Sequence, residues 1–252
     1  MNIFPEKPGN LLRRIYGALI QHGPYAPSIP NEAINLEKKV IFIAIPKTGT
    51  TSIRNQVRAR GNPLIPNPHL NIIQARDALY IHLLKEALGN NRDFPSQHIP
   101  TDAELRSESQ QLFDSLFKFS AVRNPWARAV SLYFRREGIQ VKERKSFEKF
   151  CEQHLYASDT CTHPTLHKNQ MDWLCDETGK NIMDYVYKLE EYETAIKEIN
   201  EQTNHRLRLK TKMDNMNPKS MSQDYRELYS DKARKIIGKH FEIDIDYFKY
   251  TF

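Results

Sequence analysis

The stretch from Val40 to Ser52, VIFIAIPKTGTTS, constrains this chain more than any other part of it. A short apolar run ends at Pro46, and a turn built of lysine, glycine and hydroxyl residues follows at once. That order predicts a buried strand that delivers the chain to a sheet edge. There Gly49 supplies the sharp turn, and the next helix begins with its unpaired N–H groups aimed at an anion. The implied ligand is phosphorylated. The loop is not of the Walker type, because Lys47 precedes Gly49 and no upstream glycine completes a GxxxxGK[ST] pattern. Lys47 is a point charge at the loop entrance, and Thr48, Thr50, Thr51 and Ser52 add hydroxyl donors to the backbone amides. An ordinary strand-to-helix turn capped by Thr or Ser would leave a similar trace.

A chain of 252 residues with 39% hydrophobic content is long enough for one sizeable core. Its mean hydropathy of -0.67 is too polar for a membrane protein. No apolar run approaches the roughly 20 residues that span a bilayer. The arginines inside LLRRIYGALI do not fit a signal peptide. Three cysteines, Cys151, Cys161 and Cys175, cannot all pair within one chain, which fits free thiols in a reducing, cytoplasmic setting. The spacing of Cys161, His163 and His167 matches no standard zinc pattern, so a loop with incidental ligand-type residues is expected there. The net charge of +6 suits an anionic partner, but no recognition-helix, zinc-finger or RNP-type pattern points to nucleic acid.

Five prolines before residue 31 predict an irregular extension over 1–30, with at most a short helix near Leu11 to Ile20, and a single domain over 31–252. The fold proper is expected to begin near Glu37. A strand is predicted from Val40 to Ile45, then a helix from Thr51 to Arg60 stopped by Gly61 and Pro63. A further helix is expected from Asn71 to Leu88, with a turn at Asn90 and Asn91. Thr101 and Glu104 form a capping-box pattern at the start of the next helix. SLFKFSAV, Ser115 to Val122, reads as a second core strand. Strands separated by helices imply a parallel sheet. The expected class is therefore α/β: a P-loop-like, three-layer domain with a central, mainly parallel sheet, and a mostly helical C-terminal part.

Directly after that second strand, Arg123-Asn124-Pro125-Trp126 repeats the order of strand, polar turn and helix start. Asn124 can cap the helix and Pro125 suits its first position. Ser131 returns to the same side about two turns later, so its hydroxyl and Arg123 can converge on one phosphate. The alternative makes Arg123 a salt-bridge residue and Ser131 a packing residue. Two strand-end phosphate sites suit a nucleotide phosphorylated at both ends of its ribose.

These motifs carry a resemblance. IPKTGTTSI is similar to the 5′-phosphosulfate loop, and FKFSAVRNPWARAVSLY to the 3′-phosphate motif, of the sulfotransferases that use 3′-phosphoadenosine 5′-phosphosulfate (PAPS). HIPTDAELR, HKNQMDWLCDETGK and the C-terminal DYRELYSDKARKIIGKHFEIDIDYFKYTF resemble the branch of Golgi-type carbohydrate sulfotransferases and their smaller bacterial relatives, over roughly residues 38 to 252. The Golgi enzymes have a membrane anchor and disulfides, which this sequence lacks. The Arg234-Lys235 pair resembles a phosphate motif of the cytosolic small-molecule enzymes but lacks its adjacent glycine, and is left out of the site.

The resemblance implies PAPS as donor, 3′-phosphoadenosine 5′-phosphate (PAP) as product, no metal, and a hydroxyl acceptor on a carbohydrate. It implies that Lys47 contacts the bridging or 5′-phosphate oxygen, that Thr48, Gly49, Thr50, Thr51 and Ser52 hold the 5′-phosphate, and that Arg123 and Ser131 hold the 3′-phosphate. His98 is the favoured base, with His69, His82, His163 and His167 also available. Gln170 is expected near the donor or acceptor, or else on a helix surface. The competing readings are a nucleotide- or polyanion-binding protein without chemistry, and a small-molecule kinase.

Overall fold

A computed structural model describes residues 27–93, 100–134, 146–154, 168–211 and 224–252. The described strands are β1 (Ser28–Ile29), β2 (Ile34–Asn35), β3 (Val40–Ile43), β4 (Asn62–Pro63), β5 (Phe117–Val122) and β6 (Tyr185–Lys188). The α-helices are α1 (Thr50–Val57), α2 (Ile72–Asp93), α3 (Asp102–Ser115), α4 (Pro125–Tyr133), α5 (Phe147–His154), α6 (Tyr192–Gln202), α7 (Asp231–His240) and α8 (Glu242–Phe248).

The main sheet has the order β2-β3-β5-β6. β3, β5 and β6 are parallel, and β2 is an antiparallel edge. Side chains alternate across a strand, so β3 feeds two cores at once. Val40 and Phe42 pack with Phe119 and Ala121 of β5, Ile53 and Val57 of α1, and Ile196 and Ile199 of α6. Ile41 and Ile43 face the other way, onto α2, α4, α5 and α7 through residues such as Leu79, Val130, Phe150 and Ile237. Every residue of β3 is fully buried, which is why VIFI reads as an unbroken apolar run. The result is the three-layer, P-loop-like α/β architecture expected from the sequence.

Local chemistry explains the element ends. Thr101 and Glu104 make the complete capping box at the start of α3. The Asn124 side chain accepts from the Trp126 and Ala127 N–H groups, with Pro125 in the first turn of α4. α2 starts one residue after Asn71, whose Oδ1 accepts from Gln74 N at 2.8 Å, and it runs on through the Asn90–Asn91 pair that the sequence suggested as a turn.

Three further expectations change. α1 ends at Val57, short of Arg60, because Asn35 Nδ2 takes the Val57 and Arg58 carbonyls and the chain then turns extended. Gly61 serves that extended stretch: its φ is +149°, and a Cβ there would lie 2.4 Å from Pro27 O. The fold starts before Glu37, since β1 pairs in parallel with β4, and β2 with β3. The C-terminal half, read as helical, also contains β6, a third parallel strand.

The proposed helix near Leu11, together with Cys161, His163 and His167, lies outside the described residues. Cys151 and Cys175 are free thiols, and burial pushes the Cys151 thiol up to about 12. Among the described residues, no helix is long and apolar enough to cross a membrane.

Candidate functional site

Three parallel strands end on the same edge of the sheet, the place where open α/β sheets bind ligands. β3 leads through Pro46–Gly49 into α1, β5 through Arg123–Asn124 into α4, and β6 through a 3₁₀ turn at Leu189–Glu191 into α6. Residues from all three connections touch.

The first connection is shaped by two left-handed residues. Gly49 has φ +73° and caps α1 with no side-chain hydrogen bond, and the first turn of that helix carries no acidic residue. The dihedral favours glycine at Gly49, and a Cβ there would also lie 2.5 Å from the terminal Cδ1 methyl of Leu189, which would have to shift. Lys47 also adopts φ +69°, a conformation that costs a non-glycine residue on the order of 1 kcal/mol. Thr48 is fully buried, and its hydroxyl donates back to Ile45 O at 2.9 Å, closing the loop on itself. Thr50 and Ser52 are buried and Thr51 is half-buried. The His69 ring Nδ1 lies 2.6 Å from Ala44 O, so this histidine sits where β3 enters the loop.

The second connection reaches the first. Arg123 Nη1 donates to Lys47 O at 3.4 Å, which brings together the lysine loop and the RNPW motif, 76 residues apart. Among the described residues no carboxylate forms an ion pair with Arg123, which argues against a purely salt-bridging role. Desolvation lowers its pKa, with Glu190 and Tyr250 opposing the shift. Glu190 is occupied elsewhere: it accepts from Asn124 N at 2.9 Å and from the Tyr250 hydroxyl at 3.4 Å. Ser131 lies in the last turn of α4, half-buried, and its hydroxyl has no hydrogen-bond partner among the described residues.

A layer of fully buried polar groups supports these two connections. Arg128, on α4, donates from Nε to Pro46 O at 3.0 Å. Gln170 is fully buried rather than a surface amide, and it lies against the backbone of Arg123. Its Oε1 accepts from Arg123 N at 2.9 Å and its Nε2 donates to Arg123 O at 2.8 Å. Asp244 of α8 accepts from Gln170 N at 2.7 Å and Met171 N at 3.0 Å. Burial raises the Asp244 pKa, against the pull of those N–H groups and of Arg128. The C-terminal tail closes the back, with Asn124 Nδ2 donating to Thr251 O at 2.8 Å and the Phe252 ring edge-on to Trp126 at 5.5 Å. Arg234 lies 4.5 Å over Phe252, a packing role consistent with leaving it out of the site.

Sequence reasoning missed Glu190, Asp244, Arg128 and Tyr250. Burial and long-range contacts mark Asp244, Arg128 and Tyr250, long-range contacts alone mark the exposed Glu190, and no local pattern could have. His98 lies outside the described residues.

The edge therefore presents an uncapped helix start, a lysine in a strained loop and an arginine that forms no ion pair with a carboxylate among the described residues. Such a set can hold two anionic groups and stabilise negative charge between them. No curated protein and no solved structure matches the chain. The model of the sulfotransferase family matches residues 32–251, nearly the whole of the described fold and both strand-end motifs, and the chain belongs to that family.

Proposed function

We propose that this sulfotransferase takes its sulfuryl group from PAPS and passes it to a hydroxyl on a carbohydrate, glycolipid or polysaccharide, as in the carbohydrate-sulfating branch. The observation that carries the reading is the Arg123 contact to Lys47 O, which joins two anion-type connections on one sheet edge. A donor with phosphates at both ends of its ribose matches two such connections better than a simple nucleotide does. The donor set fits: amides and an ammonium at one connection, a forked guanidinium and the Ser131 hydroxyl at the other.

In this reading Lys47 faces the oxygen that leaves sulfur, and Thr48, Gly49, Thr50, Thr51 and Ser52 surround the 5′-phosphate through the start of α1. Arg123 and Ser131 take the 3′-phosphate. The acceptor oxygen forms its bond to sulfur as the bond from sulfur to the phosphate oxygen breaks. The electron pair stays on PAP, and a base receives the acceptor proton. His98 is the proposed base, on its place in the sequence. Lys47 and the N–H groups of α1 supply the positive charge that a metal supplies in kinases, so the transfer is proposed to be metal-independent. The free thiols of Cys151 and Cys175 support a reducing, cytoplasmic setting.

The test is PAPS-dependent sulfation of a panel of carbohydrate acceptors, with and without EDTA. Turnover should survive EDTA and fall by about 10²- to 10³-fold in Lys47→Ala, the usual loss of one oxyanion donor. Turnover that depends on a divalent metal, or that is unchanged in Lys47→Ala, would contradict the assignment.

A further inference from the structure

Arg123 leaves the end of β5 where regular sheet hydrogen bonding stops, yet its main chain is held as firmly as a strand residue. Both of its backbone polar groups are taken by one side chain, the Gln170 carboxamide, at 2.9 and 2.8 Å. A carboxamide suits this because, without ionising, it offers an acceptor and a donor side by side, as a neighbouring peptide group would. Gln170 has no exposed surface, so solvent does not compete for either bond.

Gln170 is in turn fixed from behind. Its own N–H and that of Met171 both point at the Asp244 carboxylate, at 2.7 and 3.0 Å. Asp244 is also fully buried, and the neighbouring Arg128, which binds Pro46 O, provides favourable charge. A buried carboxylate is costly to keep and is tolerated where it organises other groups. The chain of contacts runs from α8, through the 3₁₀ turn at Met171–Trp173, to the backbone of a single arginine.

We propose that Gln170 is a positioning residue for Arg123, with Asp244 as its support, and that the pair sets how strongly the site distinguishes a nucleotide bearing a 3′-phosphate from one without it. The inference rests on the reading of Arg123 as the 3′-phosphate ligand. Gln170 touches no ligand in this account. It fixes the φ/ψ of the residue whose guanidinium reaches into the site, so a small rotation there displaces the fork by more than its hydrogen-bonding tolerance.

The test is the ratio of PAP to 5′-AMP affinity, measured by calorimetry for wild type, Arg123→Ala, Gln170→Ala, Gln170→Glu, Asp244→Asn and the Arg123→Ala/Gln170→Ala double variant. Gln170→Glu keeps the shape but loses the donor to Arg123 O. PAP should weaken by about tenfold in both Gln170 variants, the loss expected for one or two buried hydrogen bonds, while 5′-AMP changes by less than about twofold. Asp244→Asn should shift the ratio in the same direction by less. The double variant should match Arg123→Ala alone, because a positioning residue has nothing left to position.

Because the ratio is taken within one protein sample, partial unfolding cancels from it. Equal weakening of PAP and 5′-AMP would mean a merely structural role and would overturn the inference. So would a wild-type ratio in both Gln170 variants beside a collapsed ratio in Arg123→Ala, which would leave the donor site standing. A wild-type ratio in Arg123→Ala would remove the donor reading itself.

Discussion

Gly49 is the residue on which the loop geometry depends most. Its φ of +73° lies where an L side chain is strained by about 1–2 kcal/mol, and an added Cβ would strike Leu189 at 2.5 Å. Gly49→Ala should lower the melting temperature by a few degrees and weaken PAP binding beyond what the stability loss accounts for. Thermal unfolding and calorimetry on the same sample would check this, and an unchanged melting temperature would mean that the loop is not held as described. Lys47 and Gly49 were legible from sequence because strand, turn and helix start are contiguous there. The pairing of Gln170 with Asp244 was not, because 74 residues separate them, and a buried amide meeting a buried carboxylate leaves no periodic or local trace. Thr48 shows the opposite limit: its place in the loop is readable, but the Ile45 carbonyl that its hydroxyl binds is visible only in three dimensions.

At the scale of elements, α4 does two things through one residue. Asn124 Oδ1 caps its first turn, and Nδ2 ties the helix start to Thr251 O of the C-terminal tail. Asn124→Ala should cost about 1 kcal/mol for the cap and further stability for the tether. Asn124→Asp, which keeps the acceptor and loses the donor, should fall between wild type and Ala. Urea unfolding midpoints would order the three, and equal midpoints would remove the double role. Caps and boxes such as Asn124-Pro125 and Thr101/Glu104 were readable because their chemistry is confined to a few residues. β6 was not. YVYK is only four residues long, and its pairing partner β5 lies more than sixty residues away, so only the completed sheet identifies it. The early end of α1 was hidden for a similar reason, because the Asn35 amide that takes its last carbonyls belongs to another strand.

For the molecule as a whole, the sheet separates two cores and collects three chain connections at one edge. The C-terminal segment is no peripheral tail: it forms the rear wall of that edge through Asp244, Tyr250, Thr251 and Phe252. The β3 and β5 connections offer positive groups and the β6 turn supports them from below, with Leu189 under Gly49 and Glu190 on Asn124 N. A site assembled this way should prefer a ligand with two separated phosphates, since one phosphate can satisfy only one connection. Calorimetric titration of PAP and of 5′-AMP into wild type and Arg123→Ala tests this most directly. Wild type should bind PAP much more tightly than 5′-AMP, and Arg123→Ala should lose most of that preference while keeping its 5′-AMP affinity. Equal affinity of wild type for the two nucleotides would contradict the two-phosphate site, and with it the PAPS-dependent activity proposed for this sulfotransferase.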